Sequence, residues 1–116
     1  MLNLTASSRI MLAIDAADFR KGMDGMIGLC KSHLSQDPRS GVIFAFINRD
    51  KTRVKLLTFD GTGYWICMKR LSEGRFVNWP TGEEKIARLD AKKLLILLMG
   101  PRPVVPGVSG EWKKVS

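Results

Sequence analysis

The rhythm of apolar positions changes repeatedly along this chain, and each change marks an element. Arg9 to Ile14 is a short apolar run that predicts a first strand, and Asp15 to Ala17 turns away from it. Phe19, Met23, Met26, Ile27, Cys30 and Leu34 then recur at helical spacing and form one apolar stripe. Asp18 stands where its side chain can accept hydrogen bonds from the N–H groups of the first turn. Gln36-Asp37-Pro38-Arg39-Ser40-Gly41 carries the chemistry that stops a helix and turns the chain.

The pattern next becomes that of strands. Val42 to Ile47, Arg53 to Phe59, Tyr64 to Leu71 and Arg75 to Trp79 are rich in β-branched and aromatic residues. They are separated by the turn sequences Asn48 to Thr52, Asp60-Gly61-Thr62-Gly63 and Ser72-Glu73-Gly74. Connections this short predict an antiparallel meander, because parallel crossovers need longer segments. Glu83 to Leu89 adds a short edge strand. Asp90 caps a closing helix, Ala91 to Met99, that is apolar nearly all round and stops at Gly100-Pro101. The predicted class is α+β. An antiparallel sheet of about four to six strands carries one N-terminal glycine-bearing helix and one C-terminal apolar helix. Residues 1–8 read as a flexible N-terminus, 9–100 as a single domain, and 101–116 as an extended arm rich in Pro and Gly.

Composition agrees with one folded domain. The chain has 116 residues, of which 45% are apolar, and this is enough to build a core. Charge adds information about partners. The formal balance is +8, and residues 41–79 hold 7 basic against 3 acidic side chains. Such a surplus favours polyanions and says nothing about fold. Cys30 and Cys67 form no Cys-x-x-Cys pair, and each lies in an apolar stretch, as expected of two thiols in a reducing compartment. Met1-Leu2-Asn3-Leu4 lacks the basic start and apolar block of a leader, and Leu94 to Met99 is too short to span a bilayer. A cytoplasmic protein with no membrane contact is expected.

Candidate chemistry sits in two places. Arg49, Lys51, Arg53 and Lys55 alternate along a predicted turn and strand, and strand periodicity puts Lys51, Arg53 and Lys55 on one face. Lys69, Arg70 and Arg75 flank the following turn, with Tyr64, Trp65, Phe76 and Trp79 close by in sequence. On one reading, these groups follow a phosphate backbone and stack on bases. On the other, the charges are a solvated face and the aromatics belong to the core. The second place is the glycine-bearing helix. Gly22, Gly25 and Gly28 each cost about 1 kcal/mol relative to Ala in a helix interior, so something should compensate. Either the helix packs closely on the sheet, or a partner approaches a surface made of Arg20, Lys21, Gly22, Asp24 and Gly25. Arg20 and Asp24 are spaced for an i,i+4 ion pair.

Signals for catalysis are weak. His33 is the only histidine, follows a helical stripe and has no nucleophile at a motif spacing. Asp15, Asp18, Asp24 and Asp60 could gather around magnesium, yet each also suits a turn, a cap or an ion pair. No Cys/His spacing suggests a metal, and no cofactor is called for.

Phrases along the chain resemble one family. Asp18-Phe19-Arg20-Lys21-Gly22-Met23-Asp24-Gly25 is followed by Asp37-Pro38-Arg39-Ser40-Gly41 and by the turn Asp60-Gly61-Thr62-Gly63. Lys69-Arg70-Leu71-Ser72-Glu73-Gly74-Arg75-Phe76 then runs to Trp79-Pro80, and Leu94 to Gly100 closes the series. Their order is similar to that in the Orf2-like accessory proteins encoded by bacterial insertion sequences of the sixty-six type. The resemblance implies a setting in transposition, beside a larger transposase of the same element, and brings no catalytic residues. The leading expectation is a non-enzymatic accessory factor that binds DNA through a basic sheet face. The alternatives are an adaptor to the transposase or a homodimer without DNA contact, and a metal-dependent nuclease. The proline-rich arm differs from the aromatic and basic ending of many such proteins.

Overall fold

The computed structural model describes residues 4–100. Its elements are β1 (Ile10–Ala13), a 3-10 turn (Phe19–Lys21), α1 (Gly22–Ser32), β2 (Ile43–Ile47), β3 (Arg53–Phe59), β4 (Tyr64–Arg70), β5 (Ile86–Leu89) and α2 (Ala91–Leu97). β2, β3 and β4 form the meander that the turn sequences predict, with Phe44 opposite Leu57 and Leu56 opposite Cys67. The full sheet order is β4-β3-β2-β1-β5. β1 lies antiparallel to β5 but parallel to β2, with Ile10 opposite Ile43. That parallel pair departs from an all-antiparallel sheet. Its cause is the segment that carries α1, which is long enough to return the chain to the same end. The class is α+β, with five strands and two helices.

Both faces of the sheet are covered, which explains why every residue of β2 is buried. On one face α1 places Met26, Cys30 and, just past its end, Leu34 against Phe44, Phe46 and Leu57. On the other face α2 contributes Ala91, Leu94 and Leu97, which join Ile10, Leu12, Ala45, Ile47, Val54 and Leu56. Phe76 and Trp79 complete that second core and are both buried.

Arg75 to Trp79, read from its composition as a strand, is not one. Its two large rings do not alternate between faces. Phe76 and Trp79 both point into the α2-face core, a spacing that an extended strand cannot provide. The Phe76 N–H donates to the Lys51 carbonyl at 2.7 Å, and Trp79 Nε1 donates to the Ala13 carbonyl at 3.0 Å. The segment is a plug laid over the sheet.

α2 also differs from its sequence pattern. Asp90 caps it as expected, accepting from the Lys93 N–H at 2.8 Å. Only one stripe is buried, however, while Leu95 and Met99 are 54% and 59% exposed. A single helix on a sheet can turn only one side inward. At the N-terminal end, Leu4 packs against the α2-face core and the Ser8 N–H closes a turn on the Thr5 carbonyl. The arm at 101–116 lies outside the described residues. Among the described residues, no helix is long and apolar enough to cross a membrane.

Candidate nucleic-acid interface

The site begins at the joint between the 3-10 turn and α1. Asp18 accepts from the Arg20 backbone N–H at 2.9 Å and holds the Arg20 guanidinium through Nε at 3.0 Å and Nη2 at 2.9 Å. The Arg20 guanidinium, followed by the Arg20 backbone N–H, holds the Asp18 carboxyl well below the usual carboxylate range. Gly22 follows with φ +66°, a backbone state that L side chains rarely adopt. It breaks the helix between Arg20 and Asp24. The expected i,i+4 ion pair between those residues is therefore absent, and Arg20 is paired with Asp18 instead.

The β2–β3 hairpin supplies the other wall. Asn48 Oδ1 accepts from the N–H groups of Thr52 at 3.0 Å and Arg53 at 3.1 Å, and its Nδ2 donates to Thr52 Oγ1 at 3.2 Å. This fixes the turn that carries Arg49 and delivers Arg53 at the start of β3. Asp18, Phe19 and Arg20 face Asn48, Arg49 and Arg53 across an open cleft of about 330 Å³. The Lys55 ammonium sits 4.8 Å from the centre of the Phe19 ring, a cation–π contact. Arg53 lies directly opposite Arg70 in the β3–β4 register, and Lys55 lies opposite Met68. The hairpin sets Arg49 and Arg53 across the cleft from Arg20 and Lys55 over Phe19, and Arg70 lies beside Arg53 on β4. Sequence reasoning missed the parts played by Asn48 and Phe19. The spacing of Asn48 ahead of Thr52 was the available signal for a side chain that closes the turn.

Two predicted phosphate contacts, Lys51 and Lys69, lie elsewhere. Lys51 has φ +60°, and this left-handed residue breaks the strand alternation that would align it with Arg53. It lines a separate cleft with Trp79 and Pro80. Lys69 is on the opposite sheet face from Arg70 because neighbours on a strand alternate. Its ammonium donates to the Leu98 carbonyl at 2.6 Å, where the exposed carbonyls at the end of α2 favour a cation. Arg75 belongs to the plug segment beside Phe76.

Of the four aromatics close in sequence to the basic residues, Tyr64 packs against the α1-face core with its ring centre 5.0 Å from that of Phe59. Phe76 and Trp79 are core residues. Trp65 is 44% exposed but faces the α2 side, where its indole donates to Asp60 Oδ2 at 2.7 Å. Asp60 also accepts from the N–H groups of Thr62 at 2.9 Å and Gly63 at 3.0 Å. The Thr62 N–H, with help from the Trp65 indole and the Gly63 N–H, holds its carboxyl well below the usual range. The Asp-Gly-Thr-Gly phrase is therefore a hairpin device.

The glycines separate by cause. Gly22 needs its positive φ. A Cβ at Gly25 would collide with the Cβ of Lys21, so the joint itself excludes a side chain there. A Cβ at Gly28 would meet open space, so close packing on the sheet does not explain it. Lys21 and Asp24 are exposed at the start of α1. The glycine surface of α1 and the apolar surface of α2 lie on opposite sides of the sheet, so one flat partner surface cannot cover both.

The acidic residues are dispersed. His33 Nε2 lies 3.0 Å from Asp15 Oδ2, Asp18 holds Arg20, and Asp60 closes its turn. Among the described residues, no three His, Cys, Asp or Glu side chains are grouped to hold a metal ion.

No solved structure matches this chain. Two proteins of Sinorhizobium fredii (strain NBRC 101917 / NGR234), the uncharacterized proteins y4jC and y4hO, are each 31% identical to it over 100 residues. Each match covers 86% of this chain, with 85% of y4jC and 86% of y4hO. The profile of the family described as IS66 Orf2 like protein matches residues 8–105, from just before β1 to beyond α2. The chain belongs to this IS66 Orf2-like family, a membership that supports an accessory role associated with transposition of an insertion sequence.

Proposed function

We propose that this protein is a non-enzymatic accessory factor that assists the transposase of its own element by holding DNA phosphates on the patch formed by Arg20, Arg49, Arg53, Lys55 and Arg70. One observation carries the reading. Arg53 and Arg70 are direct cross-strand neighbours, and neither has an acidic partner among the described residues. Like charges placed opposite each other destabilise a sheet by about 0.2–1 kcal/mol. A polyanion supplies the charge that this pair lacks. Among the described residues, Asp18 is the one carboxylate lining the cleft, and Arg20 pairs with it.

The patch has no recognition helix and no aromatic row, so it contacts phosphate and sugar and carries little sequence readout. Lys51 and Lys69 are left out of the contact set because of where they lie. The choice of element ends then falls to the transposase. The reading is tested by measuring affinity for duplex DNA from the element ends over a salt series. Affinity should fall linearly on logarithmic axes, and Arg53→Ala and Arg70→Ala should each reduce the slope by about 1. Undetectable affinity at low salt, or a slope unmoved by both substitutions, overturns it.

A further inference from the structure

β4 is the last strand of the sheet, and among the described residues no strand pairs with its outer side. Its hydrogen-bond phase follows from the strand ends. The Leu71 N–H donates to the Thr52 carbonyl, and the Asp60 N–H to the Gly63 carbonyl, each at 3.0 Å. With the β3–β4 register, alternation turns the backbone groups of Trp65, Cys67 and Lys69 toward β3. Those of Tyr64, Ile66, Met68 and Arg70 point outward. Such an edge is a template for another strand.

The side chains select the partner. The strand reads Tyr64-Trp65-Ile66-Cys67-Met68-Lys69-Arg70, with aromatics at one end, cations at the other and Cys67 at the centre. A parallel copy in register would set like against like, and an antiparallel copy shifted by two residues would leave the cations without aromatic partners. An antiparallel copy centred on Cys67 sets Tyr64 opposite Arg70, Trp65 opposite Lys69 and Ile66 opposite Met68. Arg70 then meets the Tyr64 ring, while the apolar stem of Lys69, whose ammonium is held by the Leu98 carbonyl, lies opposite Trp65. The outward groups of Tyr64, Ile66, Met68 and Arg70 each find a backbone partner in this register.

We infer that the protein forms a homodimer by antiparallel pairing of β4 with β4 of a second copy about a two-fold axis through Cys67. The sheets join into one, and both basic patches face the same way. This pairing does not rest on the DNA reading. At the axis the two Cys67 residues form a non-hydrogen-bonded pair, with Cα atoms about 4.5 Å apart, close enough for a disulfide. Cys30 is buried between α1 and the sheet, and burial pushes its thiol up to about 12, so it cannot supply a cross-link.

The full chain should sediment at twice its 13.0 kDa mass. Mild oxidation with diamide should link wild type and Cys30→Ser covalently, but not Cys67→Ser. Met68→Pro removes an outward N–H and spares the β3 ladder, so it should give a folded monomer by sedimentation and circular dichroism. Should that variant misfold, Trp65→Lys sets a second cation opposite Lys69 and should weaken association several-fold. The competing occupant of the edge is the chain's own segment 101–116, which would give a monomer. A monomer at every concentration, a cross-link through Cys30, or a dimer indifferent to both Met68→Pro and Trp65→Lys overturns the inference.

Discussion

Trp79 donates its indole N–H to the carbonyl of Ala13 at 3.0 Å in the buried core, joining the plug segment to the end of β1 across 66 positions of sequence. The bond satisfies a carbonyl that water cannot reach, and the ring fills the space beneath it. Trp79→Phe should keep much of the packing but remove the bond to Ala13, lowering stability by about 0.5–1.5 kcal/mol. Trp79→Ala should lower it by about 3–5 kcal/mol, since a cavity is added. Urea unfolding of the variants measures both. Equal stability of wild type and Trp79→Phe would show that the bond contributes nothing net.

Arg53 and Arg70 make stability and binding move in opposite directions. Arg53→Gln removes one member of the like-charged pair and should raise stability by about 0.2–1 kcal/mol. The same change should weaken DNA binding. Unfolding and binding measured on one preparation decide the matter, and a variant that loses both would point to a structural role for Arg53.

The three glycines of α1 should respond with different signs. Gly28→Ala adds a methyl group into open space at a helical position and should stabilise by about 0.5–1 kcal/mol. Gly22→Ala forces an alanine to φ +66° and ψ −157°, a region essentially restricted to glycine, and should cost about 1–3 kcal/mol. Gly25→Ala should destabilise through its collision with Lys21, despite the gain in helix propensity. Denaturant midpoints rank them. A Gly28→Ala protein that is more stable yet fails to support transposition would identify that open surface as a partner contact.

The Asp60 turn has a defined acid dependence. Its carboxyl titrates well below the ordinary 3.8 in the folded hairpin, so the folded state binds fewer protons than the unfolded chain. The stability it contributes is fully present above 3.8 and is lost as pH falls below that value. Asp18 acts in the same direction through Arg20. The stability gap between wild type and Asp60→Asn should therefore be flat from neutral pH down to about 5 and narrow under stronger acid. Urea midpoints across that range check it, and a gap that widens in acid would contradict the assignment.

Local chemistry made much of this protein legible in its sequence. Helical spacing marked α1, the Asp90 cap was visible as a residue type, and the Asp-Gly-Thr-Gly phrase announced its hairpin, whereas Asp18 caps the 3-10 turn ahead of α1 and not α1 itself, which starts after the break at Gly22. Each of these depends on interactions over a few residues. The plug segment misled for the same reason. Its β-forming residues carry no mark that Phe76 and Trp79 point to one core, because that choice depends on a surface assembled from β1, β2 and β3.

The basic site divides in the same way. The sequence alone determined that residues 41–79 hold a cationic surplus and that Arg53 and Lys55 share a face. Only the tertiary structure decided which cations assemble. The left-handed turn at Lys51, the alternation that separates Lys69 from Arg70, and the joint that brings Arg20 to the hairpin all depend on where the backbone goes. The order of charges is written in the chain, but their distances arise from contacts between segments far apart in it.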